Sequence, residues 1–148
     1  MLLDAENRFS NAQAVTSAAA STNHLDMSAN NDVGTGCPLY IHLNVDTAFT
    51  DTGSNSTLDC YLQGDDDADG TFGNTTNLQL LGTFAATSAA GTTLKAVIDP
   101  GKVAGYRYVR LYYSPNNGDL SAGAVTASVT ANPPDSYTAY DDNVTISG

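Results

Sequence analysis

Apolar and polar residues alternate along most of the chain with the period of two that is typical of β-strands. The clearest strand covers residues 39–45, in which four aliphatic residues alternate with Tyr40, His42 and Asn44. The same pattern predicts five further strands, at 57–63, 78–84, 92–98, 106–113 and 123–131. One or two more are expected within residues 11–27 and 137–147.

Turn-forming residues separate these strands and define the fold class. Asp99-Pro100-Gly101 ends one strand, Pro115-Asn116-Asn117-Gly118 follows another, and Asn132-Pro133-Pro134 ends the last regular strand of the body. Short strands with almost no helix predict an all-β fold, an antiparallel β-sandwich with a jelly-roll-like topology. The pattern does not separate a jelly roll from an immunoglobulin-like sandwich, although the lack of tryptophan disfavours a true immunoglobulin domain.

The first residues differ from the body. They lack the basic region and apolar core of a signal peptide, and the tract 10–23 has no helical apolar stripe. Four apolar residues are spread among small polar ones: Leu2, Leu3, Phe9 and Val15. We therefore predict an extended N-terminal arm at residues 1–20, with these four as anchors on a neighbouring chain, and a single sandwich domain at residues 21–148.

Composition and charge narrow the classes of partner. Sixteen acidic residues against five basic ones give a net charge of −11, which disfavours binding to nucleic acid or to an anionic membrane. No apolar run reaches the roughly 20 residues of a membrane-spanning helix.

One acidic loop resembles part of a calcium site. Asp65, Asp67, Asp69 and Gly70 match positions 1, 3, 5 and 6 of a calcium-binding loop, but position 12 is Thr76, which cannot supply a bidentate carboxylate. A solvated hairpin loop is the favoured interpretation, weak calcium binding is the alternative, and no metal or other cofactor is expected.

The sequence offers little for catalysis. His24 and His42 are isolated, and neither lies in a recognisable catalytic motif. Cys60 alternates with Leu58 and Leu62 and is expected in the core, whereas a bond between Cys60 and Cys37 stays open. We expect a protein without catalytic residues, not an enzyme.

The strand at 106–113 carries the candidate interface. Tyr106, Tyr108, Arg110 and Tyr112 are predicted on the outer face, and Arg107, Val109, Leu111 and Tyr113 on the core side. Tyrosine and arginine are enriched at interaction hot spots, so the outer row is a candidate interface with another subunit or with a partner protein. A half-exposed sheet face stabilised by cross-strand aromatic pairs is the alternative.

The opening segment resembles a known family. Met1-Leu2-Leu3-Asp4 followed by Phe9-Ser10-Asn11-Ala12-Gln13-Ala14-Val15 is similar to the start of the capsid decoration or cement proteins of short-tailed phages. The resemblance implies a jelly-roll protein, made in the host cytoplasm, that lies on the outer capsid surface of the virion. It also implies contacts with the major capsid protein, which would be cemented, and self-association, for which we favour a dimer over a trimer.

A second functional class stays open. A secreted or surface β-sandwich that binds carbohydrate or a host receptor would predict a disulfide between Cys37 and Cys60, calcium at the Asp65 loop, or glycan affinity of the tyrosine face.

Overall fold

The computed structural model describes residues 5–27, 36–66 and 71–131, and these form an all-β sandwich of two four-stranded antiparallel sheets. A 3₁₀ turn (Ala5–Asn7) precedes the first strand, and a short helix α1 (Pro100–Val103) lies between β6 and β7. The eight strands are β1 (Arg8–Ala14), β2 (Ala19–Asp26), β3 (Tyr40–Thr50), β4 (Thr57–Asp65), β5 (Thr76–Ala85), β6 (Thr93–Val97), β7 (Tyr108–Asn116) and β8 (Ala122–Thr130). Within the described part, no helix is long and apolar enough to cross a membrane.

Strand pairing identifies the topology as a jelly roll. Sheet A has the order β1-β8-β3-β6 and sheet B the order β2-β7-β4-β5. The first strand pairs with the eighth, the second with the seventh, the third with the sixth and the fourth with the fifth, always antiparallel. This nested pairing, rolled into two sheets, is the eight-stranded jelly roll. It resolves the choice that the alternation alone left open and confirms the predicted fold class.

The structure corrects the predicted boundary of the arm. Residues 8–14 are a strand of sheet A, with Arg8 opposite Ser128 and Ala14 opposite Ala124, and the next strand starts at Ala19 in sheet B. Residues 8–20 therefore belong to the sandwich. The period-two pattern fails here because the register shifts twice along β1, and Ala12 has a positive φ of 45°.

Two of the four predicted arm anchors have a different role. Phe9 and Val15 are fully buried in the core of their own chain, so the prediction that they contact a partner is wrong. Leu2 and Leu3 lie outside the described residues, as does the predicted edge strand at 137–147.

The core between the sheets is filled by aliphatic and aromatic side chains from every strand except β2 and β6, which pack only partly buried residues against it.

One close fit in the core depends on glycine. Gly123 in β8 has a φ of +152°, and the ring of Phe49 in β3 occupies the space that a Cβ there would need.

A chain of hydrogen bonds crosses the sandwich at the β1–β2 edge. The Ser10 hydroxyl donates to Gln13 Oε1 at 2.8 Å, so the buried Tyr113 hydroxyl, 2.7 Å from Ser10 Oγ, is the donor in that pair. The Gln13 amide then accepts from the Thr22 N–H at 2.9 Å and donates to the Ala20 carbonyl at 2.7 Å. The side chain of Gln13 thus fills the place of a peptide group between an edge strand of sheet A and an edge strand of sheet B.

A second glutamine closes the opposite edge in the same way. Gln79 in β5 donates from Nε2 to the Val97 carbonyl at 2.8 Å and accepts from the Asp99 N–H at 3.2 Å. Both open sides of the sandwich are therefore bridged by a side-chain amide, and we call Gln13 and Gln79 the edge latches.

Replacing either latch should weaken the fold. Because each substitution leaves backbone groups of an edge strand without their partner, we expect Gln13→Ala and Gln79→Ala each to lower the free energy of unfolding by about 1–2 kcal/mol. Urea denaturation followed by circular dichroism measures this. Asn11→Ala, an exposed change on β1, is the control and should stay within about 0.5 kcal/mol of the wild type. Equal effects of Q13A and N11A would contradict the role of the latch.

The core should also make the fold sensitive to alkali. Burial raises the pKa of the Cys60 thiol to about 12 and also raises the pKa of the Tyr113 hydroxyl. At neutral pH both groups are protonated in the folded and the unfolded chain, so their contribution to stability is constant. As pH rises past the unfolded-state pKa of the thiol, about 8.5–9, and then that of the phenol, about 10, the unfolded chain loses each proton first. The free energy of unfolding then falls as pH rises towards 12, by up to about 1.4 kcal/mol per pH unit per group.

Urea unfolding at pH 8, 9.5 and 10.5 tests this alkaline loss, and Cys60→Ala should reduce the slope with pH even though the cavity it leaves lowers stability throughout. A free energy of unfolding that stays constant up to pH 10.5 would refute the expectation.

Candidate interaction surface

The outer face of sheet B carries an apolar row that crosses all four strands. Tyr112 in β7 lies opposite Ala20 in β2 and Tyr61 in β4, and Tyr61 lies opposite Leu80 in β5. Cross-strand partners project to the same side of a sheet, and these four alternate with buried residues, so all four face outwards. We call Ala20, Tyr112, Tyr61 and Leu80 the apolar row.

The row ends at Leu80, on the β5 edge of sheet B. Leu80 is 51% exposed and Val97 is 45% exposed, and they are the large hydrophobic residues that the described part of the chain leaves most open to solvent. Both lie beside the edge where Gln79 donates to the Val97 carbonyl, but Val97 alternates with Ala96, which packs against the core, so Val97 faces outwards from sheet A. Leu80 and the tyrosines of the row together form the kind of apolar surface that is found at protein interaction sites.

The predicted tyrosine and arginine row is largely covered by the chain itself. Phe72 lies against it: the Arg110 guanidinium is 4.3 Å from the Phe72 ring centroid, and the ring centroids of Phe72 and Tyr108 are 6.4 Å apart. His24 packs edge-on against both rings, at 5.4 Å from Phe72 and 5.6 Å from Tyr108. Tyr108 is consequently only 6% exposed.

Arg110 is held within the sheet rather than presented to a partner. Its Nε donates to Gln63 Oε1 at 3.0 Å, and the Gln63 amide donates in turn to Asn77. Burial lowers the pKa of Arg110, and the nearby Asp65 carboxylate opposes that effect. These contacts favour a structural role for Arg110.

Tyr106 does not share the outer face with Tyr108. A Cβ built on Gly64 would lie 2.7 Å from the Tyr106 ring and 2.8 Å from Leu78, and Gly64 pairs with Val109 on the core side of the sheet. The chain thus turns between Tyr106 and β7, and the missing side chain at Gly64 provides room for the Tyr106 ring. Of the four predicted interface residues, Tyr112 is the one that belongs to the apolar row.

The residues predicted on the core side are mostly placed as expected. Val109, Leu111 and Tyr113 are buried in the core, whereas Arg107 is exposed and forms a two-pronged ion pair with Asp26 at 3.1 and 3.0 Å. The alternation predicted the first three correctly, and it could have identified Tyr61, which lies between Cys60 and Leu62. It could not have identified Leu80, because Leu81 follows directly and a register shift changes the phase of β5.

The acidic loop is described only in part. Asp65 is fully buried and accepts a hydrogen bond from the Asn74 N–H at 3.1 Å, so its carboxylate is not solvated as a plain hairpin loop would predict. Asp67 and Asp69 lie outside the described residues, and within the described ranges no group of three or more potential metal ligands occurs. Weak calcium binding stays a prediction.

The cysteines are both free thiols, Cys37 exposed and Cys60 in the core. The raised pKa of Cys60 keeps it protonated at neutral pH, which is the opposite of an activated nucleophile. His42 is buried on the outer face of sheet A, and His24 packs in the aromatic cluster with Phe72.

An apolar cavity of about 430 Å³ opens between the sheets at one end of the sandwich. Its walls include Phe9, Leu25, Met27, Leu39 and Val109, with Glu6, His24 and Asp26 among the polar contributors. This lining suits an apolar group better than a charged substrate.

Two adjacent leucines test the assignment of faces in β5. Leu80→Asp places a charge on the exposed apolar row and should change the free energy of unfolding by no more than about 0.5 kcal/mol. Leu81→Asp places a charge at a position that is 7% exposed and should cost more than about 3 kcal/mol. Denaturation of both variants provides the comparison, and similar losses would show that the face assignment is wrong.

Comparison with known proteins places the fold in a family. The model of the Bbp16 family matches residues 9–129, from the second residue of β1 to the penultimate residue of β8. No curated protein matches the chain. The matched span includes the whole jelly roll and the Phe9–Val15 part of the opening segment. The chain therefore belongs to the Bbp16 family, which is phage-associated and consistent with a structural role in the virion.

Proposed function

We propose that this protein is a non-enzymatic structural component of the virion that binds the outer surface of a phage capsid and cements adjacent major capsid subunits. The observation that carries the proposal is membership of a phage-associated family across a jelly roll whose outer face presents the apolar row, half-buried along the sheet and exposed at Leu80. The similarity of the opening segment to cement proteins supports the same role.

The edge latches favour contact through a sheet face. A partner strand that added to β2 or β6 would meet backbone groups of Ala20, Thr22 and Val97 that already bond to Gln13 and Gln79. A partner that covered the apolar row would leave these hydrogen bonds of Gln13 and Gln79 intact. The row also has the make-up of an interface core, with two tyrosines and a leucine bordered by polar residues such as Asp59 and Thr83.

Cementing follows from several weak contacts acting together. A protein that touches two neighbouring capsid subunits makes the second contact at high effective concentration, so the subunits separate only when both contacts break. Leu2 and Leu3 stay predicted as anchors of a shorter arm that adds to these contacts, and the major capsid protein and a second copy stay the predicted partners.

Binding to capsids of the phage that encodes the protein tests the proposal. Purified protein should co-sediment with isolated heads at a copy number comparable to that of the major capsid protein. The variant Leu80→Asp should bind at least about tenfold more weakly, because a charge would be buried in the contact.

Ala85→Asp is the matched control for Leu80→Asp. Both residues lie on β5, face outwards and are exposed, but Ala85 lies five residues further along, at the end of the strand. The control should bind as the wild type does. Wild-type protein that stays in the supernatant would overturn the proposed function, and equal binding by L80D would remove the apolar row from it.

A further inference from the structure

A carboxylate lies directly beside the apolar row on the outer face of sheet B. Asp59 in β4 lies opposite Ser114 in β7 and opposite Thr83 in β5. It precedes Tyr61 by two residues on the same strand, so both side chains project to the same face, and their Cα atoms are about 7 Å apart. Asp59 therefore borders the tyrosines of the apolar row.

Three neutral side chains hold the Asp59 carboxylate in place. The Thr83 hydroxyl donates to Oδ1 at 2.6 Å, and the Asn116 amide donates to Oδ2 at 2.6 Å. The Tyr61 hydroxyl also donates to Oδ2, at 3.4 Å. The bond from Thr83 has the largest effect and lowers the pKa of Asp59, ahead of the opposing effect of partial burial, so the carboxylate is ionised at neutral pH.

Among the residues that the structure describes, no cation balances this charge. The three hydrogen bonds come from neutral donors, which stabilise a carboxylate without cancelling its charge. The two arginines of sheet B are held elsewhere, because Arg107 pairs with Asp26 and Arg110 lies on Phe72. A carboxylate has about four lone-pair sites, so Asp59 keeps the capacity to accept a hydrogen bond from a partner.

A partner that covers the apolar row also meets this charge. The row crosses four strands, about 14 Å, whereas a stable interface buries roughly 800 Å² on each side and so extends beyond a single row. An apolar partner surface would remove water from the Asp59 carboxylate without supplying a counter-charge, which is strongly unfavourable. The surface of the partner opposite Asp59 must therefore carry a cation.

We propose that the capsid subunit places an arginine side chain on Asp59, with its guanidinium against the rings of Tyr61 and Tyr112. This inference rests on the proposed function and names the chemistry that the surface around the apolar row receives. A guanidinium forms two parallel hydrogen bonds with a carboxylate and stacks on aromatic rings, whereas a lysine ammonium acts as a point charge. Tyr112 lies opposite Tyr61, so both rings are within reach of a side chain bound at Asp59.

Asp59→Asn tests the role of the carboxylate, because the amide has nearly the same shape and no charge. Asp119→Asn is the matched control, since it removes one negative charge at an exposed residue between β7 and β8. In co-sedimentation with phage heads at about 150 mM salt, we expect D59N to bind about five- to tenfold more weakly than D119N. The difference should shrink at about 500 mM salt. Circular dichroism checks that D59N keeps the β-fold.

Chemical modification of the heads tests the arginine without changing this protein. Phenylglyoxal blocks arginine side chains, whereas acetic anhydride blocks lysine side chains. On phenylglyoxal-treated heads the difference in binding between D59N and D119N should vanish, because the modification and the substitution remove the same contact. On acetylated heads the difference should persist.

The outcomes separate this inference from the proposed function. Wild-type binding with equal affinities of D59N and D119N would overturn the arginine contact and leave capsid binding intact. A difference that vanishes on acetylated heads and persists on phenylglyoxal-treated heads would assign the cation to lysine and refute the inference. No binding of the wild type to untreated heads would overturn both.

Discussion

The hydrogen-bond chain from Tyr113 through Ser10 to Gln13 is the interaction on which the described jelly roll depends. It joins β7 in sheet B to β1 in sheet A and then returns to β2 in sheet B. The β1–β2 segment consists mainly of small polar residues and contributes few large side chains to the core, so burial alone gives it little stabilisation. A chain of hydrogen bonds that is buried at Tyr113 and reaches the surface at Gln13 gives it one defined position instead. Gln79 has the same effect at the other edge, with bonds nearer to solvent.

These latches also determine which surfaces are available for function. Edge strands with free backbone groups invite strand addition, and both edges here are partly occupied by a glutamine amide. The outer faces of the two sheets are therefore the surfaces that remain available to a partner, and they differ in chemistry. Sheet B presents tyrosine and leucine, whereas sheet A presents arginine and lysine around a buried histidine.

The sequence predicted the fold well where alternation alone decided the structure, and poorly where a bulge, a loop or a turn also decided it. Alternation located β3 to β8, including the edge strands β5 and β6, because each must bury one face. It failed in β1, where bulges place Phe9 and Ser10 both inwards, so regular spacing was lost. It also failed at the tyrosine row, because Phe72 comes from a loop 36 residues away from Tyr108 in sequence, and no local pattern reveals which face a loop covers. Tyr106 was misplaced because the chain turns before β7, beside the space left by Gly64.

The direction of a side chain and its exposure are set by different parts of the chain. The strand pattern gives the direction, whereas the exposure depends on which residues from elsewhere in the chain pack over that side chain. Arg110 and Tyr112 point in the same direction from one strand, yet Arg110 lies under Phe72, and Tyr112 stays in an open row with Tyr61. Covering Arg110 removes a cation from the face of sheet B, so one loop decides that the open part of this face is the apolar row and not a mixed row of tyrosine and arginine.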